Sequence, residues 1–153
     1  MFSREEKKQL NTSFFKRFKH HMSSHRITGG GGGRWEAYKT GVRGLYFRML
    51  TTPEIGLSID LQYKEEDIRA LLFDQFEELA KLLENEWGEP PVLHRNFYLD
   101  NGLVISRIEI KLENAYFYDK KQWPVIMAWY EEKLLGLDRF WETAGDIVKA
   151  LAK

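Results

Sequence analysis

IGLSIDLQYKEEDIRALLFDQFEELAKLLENEW, residues 55–87, carries two different hydrophobic periods in one unbroken stretch. Ile55, Leu57, Ile59, Leu61 and Tyr63 alternate with Gly56, Ser58, Asp60, Gln62 and Lys64. Side chains of an extended chain point to opposite faces in turn, so this part predicts a strand with one buried face. After an acidic run the period changes. Ile68, Leu71, Leu72, Phe76, Leu79, Leu83 and Trp87 recur at three- and four-residue steps, the stripe of an amphipathic helix over about 66–87. Gly88 and Pro90-Pro91 supply its stop.

Upstream, Leu45, Phe47 and Met49 alternate with Tyr46 and Arg48 in a strand at about 43–50, joined to the first by Thr51–Glu54. An antiparallel register with Leu45 opposite Leu61, Phe47 opposite Ile59 and Met49 opposite Leu57 keeps the large apolar residues on one face. It places Tyr46 opposite Asp60 and Arg48 opposite Ser58. Downstream, Leu93–Leu99 and Leu103–Leu112 flank Asp100-Asn101-Gly102, a second hairpin. A two-residue Asn-Gly loop sets Asn96 opposite Arg107, His94 opposite Glu109 and Tyr98 opposite Ile105. A three-residue loop with a bulge changes those pairs.

The ends read as helices. Ser3 and Glu6 fit a capping box, and Leu10, Phe14, Phe18 and Met22 make one stripe over about 4–22. Ala115–Tyr118 is a candidate short fifth strand. Asp119 and Gln122 fit another capping box ahead of a helix from Trp123 to about Leu135. Gly136 breaks the pattern, and a final helix starts at Leu137. The order α-β-β-α-β-β-α-α implies an α+β fold, an antiparallel sheet of two hairpins with helices mainly on one face.

With 153 residues, 43% of them hydrophobic and 14% aromatic, one domain spanning 1–153 with a sizeable core is expected. No apolar run approaches the ~20 residues of a membrane span. The N-terminus lacks the apolar core of a secretory signal. Without cysteine there are no disulfides, thiolate metal sites or thiol nucleophiles, and a cytoplasmic protein fits. The net charge of zero conceals an asymmetry. Residues 1–50 hold 11 Lys+Arg against 3 Asp+Glu, and residues 51–153 hold 12 against 20. The basic part can meet the acidic part within one fold or in a second copy, giving a homo-oligomer. It can also meet nucleic acid, with Lys7, Lys8, Lys16, Arg17, Lys19, Arg26 and Arg34 as the contacts.

His20, His21 and His25 invite a metal, and His21 and His25 share an i, i+4 face, but no third ligand is evident. A solvated helix terminus is the simpler reading, and no metal or other cofactor is assigned. Gly29–Gly33 lacks the strand before and the Gly-Lys-Ser/Thr after that a phosphate loop needs, so a flexible connector at about 27–34, natural or engineered, is expected. The outward sheet face gathers Tyr46, Arg48, Asp60, Gln62, His94, Asn96, Tyr98, Arg107 and Glu109. This is an ordinary polar surface or a small-ligand site. A metal-dependent nuclease is a further alternative, because Gln62-Tyr63-Lys64 late on a strand, with Asp60 beside it, has the spacing of a carboxylate–lysine centre. No nucleophile elbow or kinase motif set is found.

Tyr38-Lys39-Thr40-Gly41-Val42, Leu45-Tyr46-Phe47-Arg48-Met49, Ile59-Asp60-Leu61-Gln62, Trp123-Pro124 and Leu137-Asp138-Arg139-Phe140-Trp141, with the long central helix, resemble a bacterial family catalogued as domain of unknown function 4268. The resemblance covers nearly the whole chain, the glycine run excepted. It implies no activity for named residues. Related domains resemble modules attached to nuclease-like domains, which implies an association with nucleic acid. The expectation is therefore a non-catalytic interaction or accessory module linked to nucleic-acid processing.

Overall fold

Residues 1–28 and 34–152 are described by the computed structural model; the glycine run, and with it the connector expected there, lies outside the described residues. The elements are α1 (Arg4–His21), a 3-10 turn at Trp35–Ala37, β1 (Leu45–Leu50), β2 (Ile55–Leu61), α2 (Glu66–Trp87), β3 (Val92–Tyr98), β4 (Val104–Leu112), a 3-10 turn at Lys120–Gln122, and α3 (Trp123–Leu151). Three helices and a four-stranded antiparallel sheet make this an α+β fold. The strand order is β1-β2-β4-β3, so the opening strand β2 is central.

Local chemistry explains most element ends. The Ser3/Glu6 box forms, with Glu6 N donating to Ser3 Oγ at 3.1 Å and Ser3 N donating to Glu6 Oε1 at 3.0 Å. Helix α2 stops where Gly88 takes a left-handed φ of 78°, which glycine adopts without a Cβ clash. The first hairpin has the expected register, Leu45 to Leu61, Phe47 to Ile59 and Met49 to Leu57.

One face of the sheet carries Leu45, Phe47, Leu57, Ile59, Leu61, Ile108 and Ile110, all buried. They join one core with Leu72, Phe76 and Leu83 of α2, Ile126, Leu134, Leu137 and Phe140 of α3, and Phe14 and Phe18 of α1. The stripe of α2 is turned relative to the sequence pattern. Ile68 and Leu71 are exposed and Leu79 is half-buried, while Arg69 and Phe73 are buried. The first turns of α2 face β3 and β4, where Arg69 Nη2 donates to Asn96 Oδ1 at 2.8 Å.

Two expected elements change. The final helices are one, because α3 runs through Gly136 without interruption. A Cβ there would lie 2.6 Å from the Glu86 carbonyl oxygen, so this glycine marks the close crossing of α2 and α3 rather than a helix end. The expected fifth strand at Ala115–Tyr118 is instead an irregular step at Ala115 and Tyr116 followed by a turn at Phe117 and Tyr118. Side chains satisfy its backbone in place of a neighbouring strand. Tyr116 N donates to Gln122 Oε1 at 2.8 Å, and Trp123 Nε1 donates to Phe117 O at 2.7 Å.

Candidate functional site

The sheet face away from the core is where the polar strand residues were expected to converge, and the second hairpin decides which of them arrive. Leu99 N donates to Leu103 O at 2.9 Å, so the loop has three residues, Asp100 to Gly102. Val92 pairs with Glu109 and His94 with Arg107, but Phe97 already pairs with Ile105. Arg95 and Asn96 together oppose Ser106, a bulge that shifts the phase of the strand. The Ser106 hydroxyl donates to Arg95 O at 2.6 Å and pins the bulge.

The consequence is a correction to the expected face. Asn96 turns to Arg69 on α2, and Tyr98, paired with Val104, lies on the helix-bearing side and is 73% exposed. Arg95 goes the same way, donating to Asp74 at 2.8 Å and lying 4.7 Å from the Phe73 ring centre. Phe97 takes the vacated direction, 4.4 Å below the Arg107 guanidinium. Nor does His94 face Glu109 across the strands; it reaches it diagonally, Nε2 to Oε1 at 3.4 Å.

What remains on this face is an ion cluster centred on Asp60. Its Oδ1 accepts from Arg107 Nε at 2.8 Å, and its Oδ2 accepts from Arg107 Nη2 at 2.8 Å and Arg48 Nη1 at 2.7 Å. Arg48 Nη2 also donates to Gln62 Oε1 at 3.0 Å and lies over the Tyr46 ring at 4.6 Å. Burial works against the Arg107 charge, but the Asp60 hydrogen bonds and charge outweigh it and push its pKa up. Asp60 is 0% exposed, enclosed in part by the two arginines that bond it. Beside it, Lys111 bridges Glu54 at 2.9 Å and Glu109 at 3.5 Å. The Ser58 hydroxyl is buried and has no hydrogen-bond partner among the described residues. Lys64 is exposed beyond the end of β2. A carboxylate already accepting three charge-assisted hydrogen bonds has little lone-pair capacity left for a metal. No cluster of three metal-capable acidic or histidine side chains occurs among the described residues.

The basic candidates stand elsewhere, on α1 and, for Arg26 and Arg34, beyond its end. Lys7 lies over the Tyr118 ring at 5.5 Å and Arg17 over Trp123 at 5.2 Å, while Lys8, Lys16, Lys19 and Arg26 are exposed. Ion pairs in the first fifty residues involve His21, His25, Arg34 and Arg48. Among the described residues none of Lys7, Lys8, Lys16, Arg17, Lys19 and Arg26 has an acidic partner. Among the described residues the acidic remainder of the fold therefore does not pair directly with these six cations. Near its C-terminal end Lys16, Lys19, His20, Ser23, His25 and Arg34 surround a cavity of about 510 Å³.

Two structural anchors at this end were illegible in the sequence. His21 Nε2 meets Glu131 Oε1 at 2.8 Å and His25 Nε2 meets Oε2 at 2.7 Å. A carboxylate only accepts, so both imidazoles present Nε2–H. These bonds, with the histidine charges, hold Glu131 below the usual carboxylate range against a small opposing effect of burial. A depressed acid stabilises the fold above its unfolded pKa and loses that contribution as pH falls through the folded one. Urea midpoints of the parent protein are thus expected to fall more steeply below about pH 4.5 than those of Glu131→Gln; parallel curves would show the clamp contributes nothing. The second anchor is Asp138, which accepts from Tyr38 Oη at 2.5 Å and Thr28 Oγ1 at 2.8 Å. Burial and that bond push the Tyr38 phenol up. An acid inside the apolar stripe of α3 was its one available signal.

In comparisons with known proteins, a family described as Domain of unknown function (DUF4268) matches residues 10–144. No curated protein and no solved structure matches the chain. No helix among the described residues is long and apolar enough to cross a membrane.

Proposed function

The chain belongs to the family described as Domain of unknown function (DUF4268), and we propose that it works as a non-catalytic accessory module that docks on nucleic acid through α1. The observation that carries this is the set of exposed Lys and Arg side chains spread around α1, which among the described residues have no acidic partner. Lys7 and Lys19 lie twelve residue steps apart, about 18 Å along the helix. Exposed charges of this kind meet a polyanion at little desolvation cost, because they are already in water. The Asp60 cluster supports the non-catalytic part. Both its carboxylate oxygens are engaged by arginines, and Lys64 stands exposed beyond the strand.

Fluorescence anisotropy with a mixed-sequence single-stranded oligonucleotide tests the docking. Contact of Lys7, Lys8, Lys16, Arg17 and Lys19 with five phosphates predicts log K falling against log salt with a slope of about −3.5. Substituting Lys7→Ala and Lys8→Ala together should make that slope shallower by about one unit or more while leaving the far-ultraviolet circular dichroism unchanged. No binding at about 50 mM salt would sink the reading.

A further inference from the structure

We propose that the cavity at the C-terminal end of α1 binds a phosphate monoester. The site deepens the docking reading and rests on it for the source of the phosphate, the end of a nucleic-acid strand.

The charge of the lining selects the ligand. Lys16, Lys19 and Arg34 contribute three permanent cations, and Glu36 is the one carboxylate on the wall. Glu36 sits 3.7 Å from Arg34 Nε, so the surplus is two positive charges. A phosphate monoester carries about −1.5 to −2 at neutral pH and offers three terminal oxygens. An internal phosphodiester carries one charge, and its chain has to leave in both directions. The donors suit the monoester too: two ammonium groups, a guanidinium fork and the Ser23 hydroxyl.

The floor adds rigidity. Phe18, Met22 and Trp35 are buried beneath the polar rim. Trp35 Nε1 donates to His25 O at 3.5 Å, and His25 is held in turn by Glu131. An apolar floor lowers the local dielectric and strengthens the attraction between rim and anion. The last turn of α1 opposes the site, since a helix C-terminus carries about half a negative charge. Half a charge is small against a surplus of two, and Lys19 and His20 lie in that same turn. The cavity volume of about 510 Å³ accommodates a mononucleotide-sized group.

The experiment compares a 5′-phosphorylated oligonucleotide with the same sequence bearing a 5′-hydroxyl, and AMP with adenosine. Each ligand is titrated against the parent chain and a Lys16→Ala/Lys19→Ala/Arg34→Ala variant. These positions are exposed, so the fold should persist, and thermal melting checks it. The phosphorylated strand is expected to bind about tenfold more tightly, as loss of one charge-assisted contact would cost. The variant should abolish that ratio, whatever its general loss of affinity. Equal binding of both strands to the parent overturns the cavity proposal and leaves the docking reading standing. A ratio that survives in the variant also overturns the cavity. Should neither strand bind, but AMP bind where adenosine does not and lose that preference in the variant, the phosphate site stands with a free nucleotide as its source, and the docking reading falls. Absence of binding by strands and AMP alike overturns both.

Discussion

Replacing Asp60 with alanine is expected to destabilise the protein by about 3–5 kcal/mol, the cost of leaving a buried ionic partner uncompensated. Asp60 is wholly buried, and Arg107, its bidentate partner, is 8% exposed. Removing the carboxylate leaves that guanidinium over Phe97 without its bidentate partner, and Glu109, two residues along β4, is the remaining acid near it. Arg48 loses its shortest hydrogen bond as well. The penalty arises from the orphaned cations, not from any large net value of the pair. The double variant Asp60→Leu/Arg107→Met should therefore recover most of the loss, since apolar replacement of a whole buried pair is often neutral. Chemical denaturation of the single and double variants measures both effects. A single-variant loss below about 1 kcal/mol would mean that water, not the arginines, covers this face.

The second large effect is expected at Gly136, where two rules give opposite signs. Within a helix, exchanging glycine for alanine is worth about 1 kcal/mol of added stability by propensity. At this position a Cβ would stand 2.6 Å from Glu86 O, 3.2 Å from Glu86 C and 3.4 Å from Trp87 Cδ1. The obstruction is backbone, so α2 and α3 must separate for a side chain to enter. Their crossing is also tied by hydrogen bonds, Trp87 Nε1 to Lys133 O at 3.1 Å and Lys133 Nζ to Trp87 O. Overpacking of this kind costs about 1–3 kcal/mol and more for larger residues. Gly136→Ala should be destabilising despite its propensity, and Gly136→Val should lose about 3 kcal/mol or more. A stabilised alanine variant would show that the crossing is looser than its geometry states.

The Gly136 case shows why some sequence features mislead. A glycine in a helical pattern signals either a break or a close contact, and only the position of Glu86, fifty residues earlier, distinguishes them. The second hairpin behaves similarly. Asn101-Gly102 announced a turn, but the loop length and the Arg95-Asn96 bulge were settled by packing, with Ser106 and α2 holding the displaced residues. Asn96 and Tyr98 consequently left the polar face and Phe97 joined it. The same limit applies to Glu131, which meets His21 and His25 across more than a hundred residues of chain.

Local periodicity was sufficient for the α+β class, for the first hairpin and for the main apolar face, because each depends on residues a few positions apart and on one buried side. Ile55, Leu57, Ile59 and Leu61 line the core, and a slip of one residue would have carried them all to the opposite face, among the charges around Asp60. The composition likewise established that the first fifty residues are basic. Tertiary structure decided what those charges and polar groups do. It brought two arginines from neighbouring strands onto Asp60 and, among the described residues, left the Lys and Arg side chains from Lys7 to Lys19 without acidic partners. It also gathered Lys16, Lys19 and Arg34 around one cavity. Charge, unlike hydrophobic period, leaves its partner open: a carboxylate is satisfied by any donor the fold brings within about 3 Å, wherever that donor lies in the chain.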